Sequence, residues 1–233
     1  MGVLQYFDNF FEKKPKEETS PQIGDIWWVP TLEVNEVPRI FEALRVAPQG
    51  HEITEFVIKE INQQHFTQRE RLPIKLLTLA ETEELIITKA KKRPVILLSS
   101  SSADVESVPI ANSAHKRLAK KLTIPLYLVA PLASVSSMMK VTTFGPELVA
   151  RIRAMHYPHL FCLPDTENKL EPKSIVRLDL AFSTYLARGC EPCGKKLHIE
   201  PLTVLLSQFA YLLGEVGSQE FQLVKKLVNE SYP

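Results

Sequence analysis

Arg93 ends a basic run with Lys89, Lys91 and Lys92 and stands directly before Pro94. A guanidinium there could grip two phosphate oxygens with its planar fork and stay charged at any physiological pH. The plainer reading is the solvated basic flank of a strand. His115, Lys116, Arg117, Lys120 and Lys121 form a second basic cluster, suited to a nucleic-acid backbone or simply to water. Trp27 and Trp28 are neighbours, so on a strand they face opposite ways: one belongs to a core, and the other is free to stack on a base or a partner. His156, Tyr157 and His159 are acid–base candidates, for which a surface or structural role is the plainer reading. Cys190-Glu191-Pro192-Cys193, with His198 beyond it, suggests a metal or redox motif. A zinc site normally takes four ligands, Cys162 is distant, and the βαβ setting of a thioredoxin-like CxxC is missing. A turn before the C-terminal helix is the plainer role, and neither metal nor cofactor is expected. Phosphate-binding loops, dinucleotide fingerprints and HExxH motifs are absent from the sequence.

Something must position these groups. The 233 residues suit one large domain, or a core domain with an added segment. Hydrophobic residues make up 45% and charged residues 24%, an ordinary globular balance. A formal net charge of +1 gives no global argument for nucleic acid or membrane, so any RNA surface must be a local patch. Three cysteines argue against a disulfide framework and fit a reducing cytoplasm. The start lacks the basic and apolar regions of a signal peptide, and Tyr6 stands where a myristoylation signal has Ser or Thr. No apolar stretch reaches membrane-spanning length, so no membrane partner is expected.

Leu4, Phe7, Phe10 and Phe11 have helical spacing, which predicts a short amphipathic helix over 3–13, followed by a charged linker over 13–21. Ile26–Val29, entered from Gly24-Asp25, reads as a strand. The apolar positions of 53–61 fit a helix slightly better than a strand, and 84–89 reads as a strand. Pro94–Leu98 and Ile124–Ala130 are buried strands. A basic helix over 114–121 follows a Ser113 cap, and another helix opens at Gly145-Pro146 and runs to Met155. Short strands are expected at 159–163 and 174–178, then helices at 201–213 and 219–228. The sum is a small α+β barrel, mainly β, with C-terminal helices.

Four segments, read together, resemble the PemK/MazF family. They are Gly24–Val29 (G-D-φ-φ-x-V), Lys92–Ser99 (R-P-φ-φ-φ-φ-S), Leu128–Ser134 (an apolar strand ending in a hydroxyl), and Lys169–Asp179 (a leucine, a linker, a serine and an apolar strand). The resemblance covers 24–30 and about 90–215. It implies an SH3-like barrel spanning 23–233 after an N-terminal helix and linker (1–22), with a large insertion at about 31–90 after the first strand. It also implies a homodimer, single-stranded RNA as substrate, and an antitoxin protein as partner. The family cuts RNA without metal, by attack of a 2′-hydroxyl on the adjacent phosphate. Such a step needs positive charge at the phosphorane and in-line positioning.

Carried over, Arg93 matches the family's catalytic arginine, and Ser99 matches the serine that ends its strand. The catalytic hydroxyl falls on Ala133, with Ser134 next to it. On this reading Arg93 and Ser134 are catalytic, while Lys92, Ser99, His115, Lys116, Arg117 and Trp28 hold RNA. The function expected is a toxin-like, metal-independent endoribonuclease. The alternative is an inactive module of the same fold that binds nucleic acid, RNA or DNA, or a protein. Ala133 and the missing short loop after Val29 motivate that alternative.

Overall fold

A computed structural model describes residues 2–14, 20–33, 36–45, 54–67, 79, 82–101, 124–135, 144–165, 172–187 and 189–231. The chain is mixed α+β and mainly strand. It divides into two compact units, 1–30 with 92–233, and 31–91.

Among the described residues, the first unit carries an eight-stranded antiparallel sheet that curls into a half-barrel. Its strands are β1 (Phe11–Lys13), β2 (Asp25–Leu32), β6 (Ala90–Ser101), β7 (Leu126–Ser134), β8 (Leu160–Pro164), β9 (Pro172–Arg177), β10 (Phe182–Thr184) and β11 (Glu191–Leu197). The order is β1-β11-β2-β6-β7-β9-β8, and β10 also pairs with β7. β7 pairs with β6 over Leu126–Pro131, with β10 over Tyr127–Val129, and with β9 over Leu132–Ser134.

Both faces of the central strands are buried, which is why Val95–Leu98 reads as one apolar run rather than an alternation. Val95, Leu97, Tyr127 and Val129 join Trp27 and Val29 in a small core that Phe182 and Leu186 close. Ile96, Leu98, Ala130 and Leu132 face the larger core, which takes in the helices α1 (Val3–Tyr6), α2 (Pro146–Arg153), α3 (Ile199–Leu212) and α4 (Gln219–Glu230). α2 starts from the expected Gly145-Pro146. On α4, Phe221, Val224 and Val228 are buried as the periodicity requires, while Leu227 is partly exposed.

The helix expected over 3–13 is confined to its first turn. Only Val3–Tyr6 is helical; Phe7 turns extended, and Phe11–Lys13 is a strand on β11, with Phe11 opposite Leu197. Phe7 and Phe10 meet edge-on at 5.3 Å inside the core, so the aromatic spacing serves burial rather than one helix face. Lys14, read as part of a solvated linker, is buried. Its Nζ lies 2.5 Å from Asp25 Oδ2, and the two side chains are 7% and 2% exposed.

That ion pair closes a corner. Gly24 takes φ +90, and a Cβ there would meet Leu202 Cδ2 of α3 at 2.8 Å. Gly24 N donates to Leu97 O (2.8 Å) and Leu197 N donates to Gly24 O (3.0 Å), so one residue links β6 to the end of β11. Asp25 Oδ2 also accepts from Gln22 N at 2.8 Å. Only glycine combines that φ with so close an approach.

The second unit holds a three-stranded sheet, β4-β3-β5, of β3 (Arg39–Arg45), β4 (Thr54–Glu60) and β5 (Leu85–Ile87). The helix expected over 53–61 is therefore a strand over Thr54–Glu60. Cross-strand partners on β3, with Phe41 and Phe56 stacked at 4.9 Å, outweigh a period that fits a helix only marginally. The basic helix expected over 114–121 lies outside the described residues.

Asp25→Ala leaves Lys14 buried without its counter-charge. Chemical denaturation should show a loss of about 3–5 kcal/mol. A Lys14→Met/Asp25→Leu double variant should lose clearly less, which a double-mutant cycle would read as coupling.

Candidate functional site

β11, β2 and β6 lie side by side, and one end of them carries Glu191, Trp28 and Lys92. Glu191 is the direct partner of Trp28. Lys92 Nζ reaches Glu191 Oε1 at 2.7 Å, so this bridge crosses β2 at the level of Trp28. The indole is 36% exposed, whereas Trp27, its neighbour, is in the small core. The bridge itself is open to water and is worth ~0–1 kcal/mol. What it supplies is an aromatic surface flanked by a cation and an anion.

Strand alternation assigns the other expected residues. Lys92 shares the face of Ile96 and Leu98, and Ser134 continues the row Ala130–Leu132; Ile96 and Ala130 are paired, so this is one face of the sheet. Arg93, half-buried, continues the row Val95–Leu97 on the opposite face, beside the small core. Ser134 is in regular pairing opposite Ser174, and Ala133 opposite Ile175, with no slip that would turn the Ser134 hydroxyl toward the Arg93 side. Ser99 is exposed at the far end of β6, after a register shift between Leu97 and Ser99, and pairs with Leu128. The structure thus brings Trp28 and Lys92 together, sets Ser134 on their face, and puts Arg93 on the other. His115, Lys116 and Arg117 lie outside the described residues.

A second polar cluster escaped the sequence reading in part. Arg177 Nε and Nη2 donate to the two Asp179 carboxylate oxygens at 2.8 and 2.6 Å. Burial pushes the Asp179 carboxyl up, but its bonds to Arg177, with smaller help from His159, more than offset this and hold it below its ordinary value. The Asp179 bond in turn raises the Arg177 pKa. His159 meets the Tyr157 ring edgewise at 5.9 Å. The backbone below is held by Gln208 of α3, a buried amide whose Nε2 faces the carbonyls of Tyr157 (3.2 Å), Pro158 (3.1 Å) and Leu160 (2.9 Å). The Arg-x-Asp spacing was visible in the sequence, but only folding carries His159 to it.

The cysteines resolve differently from the expected turn. Cys193 lies within β11, whose Glu191 and Pro192 pair with β2. Three extended residues separate the Cα atoms of Cys190 and Cys193 by ~10 Å, beyond disulfide reach. All three thiols are free. Among the described residues, no group of three or more His, Cys, Asp or Glu side chains could hold a metal ion, and no helix is long and apolar enough to cross a membrane. No protein-family model, curated protein or solved structure matches the chain.

Burial pushes the Cys162 thiol up to about 12, against a smaller opposing effect from Arg153. A disulfide reagent at pH 8 should therefore modify Cys190 and Cys193 in the native protein and Cys162 only after unfolding, as intact mass will report. Because Asp179 is held low in the folded state, its stabilisation is complete above the ordinary 3.8 and is lost as pH falls through the lowered value. Urea midpoints at pH 6 and pH 3 should fall less in Asp179→Asn than in the parent.

Proposed function

We propose that the first unit is an SH3-like barrel of PemK/MazF type that holds single-stranded RNA and has lost the ability to cut it. The observation that carries this reading is the placement of the four resembling segments. They fall on β2, β6, β7 and β9, which are consecutive neighbours in one sheet. On this reading 31–91 is an insertion after the barrel's first strand, and a reducing cytoplasm suits the free thiols.

Loss of cleavage is argued from chemistry. Ala133 has no hydroxyl, and Ser134 belongs to the face opposite Arg93. A guanidinium that binds phosphate without an aligned proton-transfer group can retain a strand but not accelerate its scission. Trp28 is the stacking surface and Lys92 the adjacent cation, while Arg93 belongs to the opposite face of the sheet. The antitoxin and the barrel homodimer implied by the resemblance belong to the same proposal. An endoribonuclease in which another group replaces the missing hydroxyl is the competing reading.

Long single-stranded RNA incubated with the protein in EDTA should stay intact. A labelled oligoribonucleotide should bind with an affinity that Trp28→Ala weakens ~5- to 150-fold, the range for one stacked base. Discrete fragments that vanish in Arg93→Ala would establish the endoribonuclease instead. Absence of binding at low salt would remove RNA from the reading altogether.

A further inference from the structure

The second unit carries an exposed apolar sheet face that the barrel reading does not use. Phe41 is paired on one side with Ile58 and on the other with Leu85. Phe56 is 56% exposed and Ile58 54%, and Ile87 on β5 is also exposed. On the other face of the same sheet, Ile40 is fully buried and Lys59 bonds Glu42. β4 is an outer strand of the sheet: among the described residues only β3 pairs with it. An outer strand with an apolar face is a ready template for a further strand.

The sequence of β4 says which strand fits. Its central residues read Glu55-Phe56-Val57-Ile58-Lys59. Laid antiparallel against itself about a two-fold axis at Val57, Phe56 falls opposite Ile58 of the second copy, and Ile58 opposite its Phe56. One step out, Glu55 falls opposite Lys59 of the second copy, again twice. Apolar residues meet on the apolar face and opposite charges meet on the charged face, and both happen only in this register. A one-residue slip would set apolar residues against charged ones and turn the faces against each other.

We propose that β4 is a self-association edge: two copies of this chain pair their β4 strands antiparallel about Val57. The product is a continuous six-stranded sheet, β5-β3-β4 joined to β4-β3-β5. The apolar row Leu85–Phe41–Ile58 then runs on into Phe56 of the second copy, and Lys59 lies between its own Glu42 and Glu55 of the second copy. A closed two-fold contact uses the edge up, so this contact by itself joins two copies and no more. This interface is built from residues of the second unit alone and does not rest on the RNA reading.

Sedimentation equilibrium of the full chain tests it. The parent should show a concentration-dependent association step. Glu55→Lys sets two ammonium groups against each other at both ends of the contact and should weaken association at least 10-fold; Lys59→Glu does the same with two carboxylates. The double swap Glu55→Lys/Lys59→Glu restores opposite signs and should recover most of the parent's association. The circular dichroism and melting of each variant serve as the folding check. A monomeric parent, a dimer indifferent to Glu55→Lys, or a double swap as weak as the single changes overturns the proposal.

Discussion

The corner at Gly24 and Asp25 is the constraint on which the first unit depends. In two residues the chain leaves the amino-terminal segment, passes under Leu202 with a positive φ, and hydrogen-bonds to both β6 and β11. Asp25 then neutralises Lys14 inside the protein. A buried pair of this kind gives little net stability, yet it tolerates no loss of one member. It fixes where β2 begins, and so which of Trp27 and Trp28 is turned inward. Had β2 slipped by one residue, the two indoles would exchange roles, and the exposed aromatic beside Lys92 would become core.

The corner also explains what the Gly-Asp pair in the sequence reports. Both residues have structural reasons to be there: a φ and a close contact for glycine, a buried counter-charge for aspartate. The first of the four resembling segments therefore speaks for a fold and is silent on chemistry. The Arg-Pro segment is similar in part. Its apolar residues are divided between two cores, and Lys92 and Arg93 at its entrance and Ser99 at its far end stay near water.

Most strands and helices of the first unit were legible because their apolar runs are long or carry clear stops, such as Gly145-Pro146. Three readings failed for definite reasons. Phe7, Phe10 and Phe11 fill a core from an extended chain, which helical spacing cannot distinguish from a helix face. Lys14 lies in a charged run, and no local pattern reveals that Asp25 buries it. Thr54–Glu60 has a mixed period, and its partner strand is separated from it in sequence. The candidate site was legible as residue types but not as an arrangement. Strand alternation separates Arg93 from Ser134, and the cluster of His159, Arg177 and Asp179 is assembled by the long-range pairing of β8 with β9, with Gln208, a buried polar residue on an apolar helix, bonded to the turn beneath it.

The pairing of β1 with β11 has a consequence in time. Phe11 lies against Leu197, so the first strand to be synthesised waits for one of the last. At ordinary translation speeds of ~5–20 residues per second, that wait is ~10–40 s. Throughout it Phe10 and Phe11 have no completed core to enter. The eight-stranded sheet thus cannot close progressively from the amino terminus; its edge is sealed only when the last strand emerges, and the nascent chain carries an aromatic segment that other factors in the cell can reach until then.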